Sequence, residues 1–163
     1  FVSSNYDFSK TILDGFTKPY QTYLRDGIKI GVYGLGIKLS GLVTKNLYKE
    51  TDYLPPYEIA VDIERKLKED EKCDLVICLS HLGYQYQNSQ RPDDMTLATK
   101  TKHTDLIIGG HTHTFLDKPS VVANADGREI LVNQVGCFGV RLGRIDFYFD
   151  AERVLADGVS IVV

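Results

Sequence analysis

The feature that most restricts how this chain can fold occurs twice: a helix-period pattern runs into a short apolar strand, and the strand ends at a histidine. In the first copy Ile59, Ile63 and Leu67 recur every four residues across 58–72 with Ala60 beside them, while Glu64, Arg65, Lys66, Lys68 and Glu69 are expected to face water. Asp74 then leads into Leu75, Val76, Ile77, Cys78 and Leu79, followed by Ser80 and His81. In the second copy a shorter helix over 93–102, with Leu97 and Ala98 inward, leads into Asp105-Leu-Ile-Ile-Gly-Gly-His-Thr-His113. A helix before each strand carries the chain back across the sheet, so the strands run parallel and the chain is α/β. Runs such as Leu106, Ile107 and Ile108 fit strands covered on both faces.

Parallel strands side by side gather their carboxyl-end residues, which is where open α/β sheets place their sites. His81, His111 and His113 therefore form a candidate metal centre. Gly109 and Gly110 are expected to let the backbone turn sharply, after which His111 and His113, one residue apart, leave the same side of an extended or irregular segment while Thr112 points away. A lone histidine at a strand end is more often a solvated loop residue, and it is the clustering of three that favours metal. His103 precedes its strand and lies at the wrong end of the sheet. Tyr84 and Tyr86, in the polar loop 84–94 passing His81, have two readings, a pocket lining and local packing.

The remaining elements are simpler. Residues 20–24 and 28–35, joined by Arg25-Asp-Gly27, read as a hairpin, with Ile28, Ile30 and Val32 on one covered face. A long connection over 34–56 closes at Pro55-Pro56, with the helix expected to begin after both prolines. Residues 120–123 and 129–134 form a second hairpin around Asn124-Ala-Asp-Gly127. A strand over 140–149 is expected to bury Leu142, Ile145, Phe147 and Phe149, and an edge strand occupies 159–163. Residues 1–5 open in strand-like sequence without a cap, as in a domain cut from something longer.

With 163 residues, 43% of them hydrophobic, the chain can bury one sizeable core. A net charge of -3 without a lysine or arginine block excludes a broad nucleic-acid or anionic-membrane surface. No apolar run approaches the roughly 20 residues of a membrane span. Cys73, Cys78 and Cys137 lack Cys-x-x-Cys spacing, which argues against a disulfide framework or zinc-thiolate site, and Cys78 reads as a core residue.

Leu79-Ser-His-Leu-Gly83, Asp105-Leu-Ile-Ile-Gly-Gly-His-Thr-His113 and Asn133-Gln-Val-Gly136 with 139–147, in that order, resemble the calcineurin-like metallophosphoesterases, nearest the 5'-nucleotidase and 2',3'-cyclic phosphodiesterase branch. The resemblance implies a mixed sheet with flanking helices, one part of a four-layer αββα sandwich, and hydrolysis of a phosphorylated small molecule such as a nucleotide. It implies two divalent ions (zinc, manganese or similar), with His81 and His111 on one ion and His113 on the other, and an extracytoplasmic setting. The family's Asp-x-His, bridging Asp and Asn-His motifs are not found here, so the likeness is to the C-terminal half of the catalytic domain. That half supplies part of a binuclear site, carries no catalytic acid or base of its own, and is expected to be inactive alone and to self-associate or pair with its N-terminal half. The competing reading is a non-catalytic metal-binding or interaction module built on the three histidines.

Overall fold

The structure, a computed structural model, describes residues 1–87 and 90–152 together with the backbone of 155–162. In chain order the elements are β1 (Tyr6–Asp7), β2 (Tyr20–Arg25), β3 (Ile28–Leu35), α1 (Lys45–Tyr48), β4 (Asp52–Tyr53), α2 (Pro56–Arg65), β5 (Leu75–Ser80), α3 (Asp94–Lys100), β6 (Leu106–Ile108), β7 (Ser120–Ala123), β8 (Glu129–Asn133), β9 (Gly143–Phe149) and β10 (Leu155–Val162). Six strands make one mixed sheet in the order β2-β3-β5-β6-β8-β7, and β1-β4 and β9-β10 form separate antiparallel pairs. Val163, the last residue of the expected edge strand, lies outside the described residues.

The helix-strand alternation has the expected result: β3, β5, β6 and β8 are mutually parallel neighbours, with antiparallel β2 and β7 at the edges. The first hairpin turns on Asp26 and Gly27, whose φ values of 49° and 84° suit a tight turn matched to strand twist. One sheet face carries the core. Tyr33, Val76, Cys78, Ile107, Ile130 and Val132 are buried there beneath Ala60, Ile63 and Leu67 from the first helix and Leu97 and Ala98 from α3. After Arg65 that helix continues as a π-helical stretch, Lys66–Asp70. Leu67 from this stretch fills the space over Gly31, where a Cβ would stand 2.8 Å from Leu67 Cδ2.

Four expectations are corrected. Helix α2 begins at Pro56 itself, because the first helical position has no intrahelical use for an N–H and proline's fixed φ suits it. On β3 the deeply buried face is Gly31, Tyr33 and Leu35, while Ile28, Ile30 and Val32 are half-buried on the opposite face, since α2 packs on the glycine side. Leu142 is exposed, because β9 starts only at Gly143 and the residues before it are a surface turn.

Glu64, assigned to water by its place in a charged run, is buried. Its carboxylate accepts hydrogen bonds from the backbone N–H of Lys102 (2.7 Å), His103 (3.0 Å) and Thr104 (2.8 Å) and from Thr104 Oγ1 (2.7 Å). It thereby fastens α2 to the turn that feeds β6, and Thr104 Oγ1 also meets the buried Tyr33 hydroxyl at 2.9 Å. Glu64→Ala should lower the unfolding free energy by about 3 kcal/mol or more, because several donors would lose their acceptor together. Glu64→Asp, one methylene short, should cost less. Urea denaturation of the two variants checks the order.

Candidate functional site

Two strand ends build the site. His81 N donates to Leu35 O at 2.8 Å and Gly109 N donates to Asn133 O at 2.8 Å, so the turns after β5 and β6 each lean on the next parallel strand. The register pairs Leu79 with Ile108, which puts the two turns level. As a result the rings of His81 and His111 lie 5.2 Å apart, edge to face at 64°. The His113 ring lies 6.0 Å from that of Phe138. Among the described residues no group of three or more His, Cys, Asp or Glu side chains is placed to hold a metal ion by itself.

The glycines act differently from the expectation. Neither Gly109 nor Gly110 has a positive φ; the left-handed residues are His111 (φ 71°) and His113 (φ 54°). Non-glycine residues adopt that region at a cost, so surrounding contacts must hold the histidines there. The glycines serve close approach instead. A Cβ on Gly110 would stand 3.0 Å from His81 Nδ1 and 3.4 Å from Ser80 O, and one on Gly109 would collide with the Asp94 carboxyl group.

The contacts that hold the loop centre on Gln134, which lies within the Asn133-Gln-Val-Gly136 stretch but has no role assigned by it. Buried Gln134 donates from Nε2 to Gly110 O at 2.8 Å, and its Oε1 accepts from Thr112 Oγ1 at 3.1 Å and from Thr114 N. Thr112 Oγ1 also accepts from Tyr84 N at 2.9 Å. Gln134 follows β8, the strand beside β6, and that adjacency is the signal that could have found it.

Both tyrosines of the 84–94 loop pack locally: Tyr84 Oη meets Ser120 Oγ at 2.7 Å and Tyr86 Oη donates to Leu82 O at 2.9 Å. The space beside Leu82 is a cavity of about 420 Å³ lined by Ile37, Leu42, Tyr53, Arg91 and Pro92. His103 sits at the opposite end of the sheet from the site, its backbone tied to Glu64.

Two groups here titrate abnormally. Partial burial, reinforced by His81, His113 and Arg91, pulls His111 below its usual value, so the ring is neutral at pH 7 with its lone pair available. Burial pushes Asp94 up to about 7, with the Ser80 hydrogen bond opposing the shift and Asp93 adding to it. The consequences for stability have opposite signs. Neutral His111 contributes stability above its unfolded value of 6.5 that is lost as pH falls through its lower folded value. Asp94 contributes stability that is complete below its unfolded value of 3.8 and is lost as pH rises through about 7. Asp94→Asn should therefore remove a decline in stability between pH 5 and 8, gaining about 2 kcal/mol over the unsubstituted chain at the upper end. Denaturation midpoints at the two pH values test this, and equal pH slopes in the two proteins would contradict it.

No protein-family model matches the chain. It is 33% identical over 171 residues to a trifunctional nucleotide phosphoesterase, YfkN of Bacillus subtilis, covering 94% of this chain and 11% of that protein. It is 28% identical over 171 residues to a snake venom 5'-nucleotidase of Naja atra, covering 93% of this chain and 30% of the relative. The crystal structure of a 5'-nucleotidase precursor from Thermus thermophilus superposes on 99% of this chain and 33% of its own, with a TM-score of 0.82 at 28% identity. The chain thus spans no more than a third of the length of any of these three proteins.

Proposed function

Because the chain belongs to the calcineurin-like phosphoesterases, on the branch of the 5'-nucleotidases, we propose that it supplies part of a metal-dependent site that hydrolyses phosphoesters of nucleotides. The observation that carries this reading is the contact of the His81 and His111 rings at two adjacent parallel strand ends, with His111 held neutral. A neutral imidazole is the form that binds a metal, and two imidazole rings in contact fit the nitrogen side of one divalent ion. His81 and His111 would hold that ion and His113 a second one, zinc, manganese or similar. Such ions, when bound, polarise the phosphoryl group and lower the pKa of water.

This chain's own part is orientation. Gln134 fixes the carbonyl of Gly110 and the backbone of Thr114 on either side of His111 and His113, and the absence of a side chain at Gly110 lets the His81 ring approach. No carboxylate joins the histidines among the described residues, so three imidazoles alone would leave divalent charge largely uncompensated. Catalysis accordingly belongs to a longer protein in which an N-terminal half adds the anionic ligands. The substrate class, a nucleotide, follows from the names of the relatives, and an extracytoplasmic setting follows from a relative in venom and another described as a precursor.

The sheet supports the same division. On the face away from the helices, β9 brings Ile145 and Phe147 near Ile77 and Leu106 and leaves a cavity of about 290 Å³. Toward the carboxyl ends, Leu79 and Ile108, on central strands, remain 45% and 43% exposed. Central-strand residues of this kind are ordinarily covered, and we assign this face to the N-terminal half proposed above or, where the chain is alone, to a second copy of it.

Two outcomes are expected. The chain should bind cobalt weakly, with His111→Ala reducing affinity about tenfold or more, and should not hydrolyse a nucleoside monophosphate on its own. Absorption titration and a phosphate-release assay check this; unchanged cobalt affinity in both His81→Ala and His111→Ala would remove the ligand assignment. Light scattering over a dilution series should show self-association that Leu79→Lys with Ile108→Lys abolishes, whereas a monomer at every concentration would count against the uncovered face.

A further inference from the structure

We propose that Asp94 is the positioning residue of the histidine pair, a buried strut that sets the spacing between the turn carrying His81 and the turn carrying His111. This rests on reading that pair as the metal-facing groups, and it assigns to Asp94 no contact with the metal or substrate.

Asp94 opens α3 yet does not cap it. The cap is Asp93, whose Oδ1 accepts from Thr96 N at 2.7 Å and whose Oδ2 accepts from Tyr86 N at 3.1 Å. Asp94 is instead fully buried beneath the two turns. Toward the first turn it makes two attachments. Its Oδ1 takes the hydrogen bond of Ser80 Oγ, and its backbone N donates to Gly83 O at 2.8 Å. Ser80 Oγ in turn accepts from Leu82 N at 3.1 Å. The residues on both sides of His81 are thus tied to one carboxyl group.

Toward the second turn the contact is steric. Asp94 Oδ2 is sealed from solvent, has no hydrogen-bond partner among the described residues, and lies against Gly109 so closely that any side chain there would strike it. Gly109 is two residues before His111, and its own N–H is fixed to Asn133 O at 2.8 Å. The carboxyl group therefore stands between Ser80 and Gly109 as a spacer, bonded to one side and in contact with the other.

Apolar packing alone does not account for this side chain: burying it with one oxygen unpaired is costly, and an apolar residue of the same volume would lack the oxygen that takes the Ser80 hydrogen bond. The group is placed where it spans the two histidine turns, the relation that outer contacts bear to metal ligands in general. Asparagine, with the same shape and an oxygen for Ser80, should serve as a strut; alanine should not.

The test begins with the metal-free chain and reads the through-space magnetisation transfer between the His81 and His111 rings by NMR. We expect the transfer to persist in Asp94→Asn and to be lost in Asp94→Ala, with far-ultraviolet circular dichroism showing both variants folded. Cobalt affinity should follow, falling about tenfold or more in Asp94→Ala and staying near the starting value in Asp94→Asn. Should Asp94→Ala fail to fold, Gly109→Ala provides the second measurement, since its methyl group drives against the strut without removing it and should break the ring contact. Ring contact that survives in Asp94→Ala, or in Gly109→Ala where that variant replaces it, overturns the proposal, as does loss of the contact in Asp94→Asn. If the original chain binds no cobalt while the ring contact responds as stated, the metal reading fails and the strut stands.

Discussion

Parallel pairing of β5 with β6, in the register that sets Leu79 opposite Ile108, is the constraint on which the rest of the molecule depends. A parallel pair ends both its strands on the same edge, so two turns of unrelated sequence are delivered side by side. A shift of one residue would exchange the faces of every side chain in β6, sending Ile107 out of the core and moving His111 away from His81. The core fixes that register: Cys78 and Ile107 are paired across it and both are fully buried under the helices.

Polar groups inside this apolar frame do the fine placement. Glu64 secures the entry to β6, Gln134 the loop beyond it, and Asp94 lies between the two turns. Each is buried, and each is directed at backbone or loop groups rather than at a charged partner. Hydrogen bonds in such a low-dielectric setting are costly to leave unmade and directional when made, which suits them to holding two histidines at positive φ. The unequal treatment of His111 and His113 follows. One ring is drawn against His81 and kept neutral, while the other is turned toward Phe138.

The two faces of the sheet tell a complementary story. The helical face is closed by side chains from α2 and α3, whereas the opposite face is apolar from Ile30 through Ile77 to Ile108 yet only partly covered by β9. Apolar residues on both sides of central strands mean a sheet meant to be covered twice. The incompletely covered face is the packing feature on which the proposed pairing with a further set of elements rests.

The sequence by itself determined the class of fold and the sheet edge expected to carry the candidate site. Helix-period spacing before each strand implied parallel strands, and a histidine at each carboxyl end then fell at one edge of the sheet, both from periodicity and chain direction, which are local properties; that the two strands are neighbours was decided by the pairing of the sheet. Tertiary structure alone decided which groups hold the histidines and how. The burial of Glu64 inside a charged run, the steric use of Gly109 and Gly110, the positive φ of His111 and His113, and the roles of Gln134 and Asp94 all depend on residues brought together from distant parts of the chain. Glu64 and Thr104 are 40 positions apart, and no short window of sequence contains both the acceptor and the donors that let such a polar group be buried.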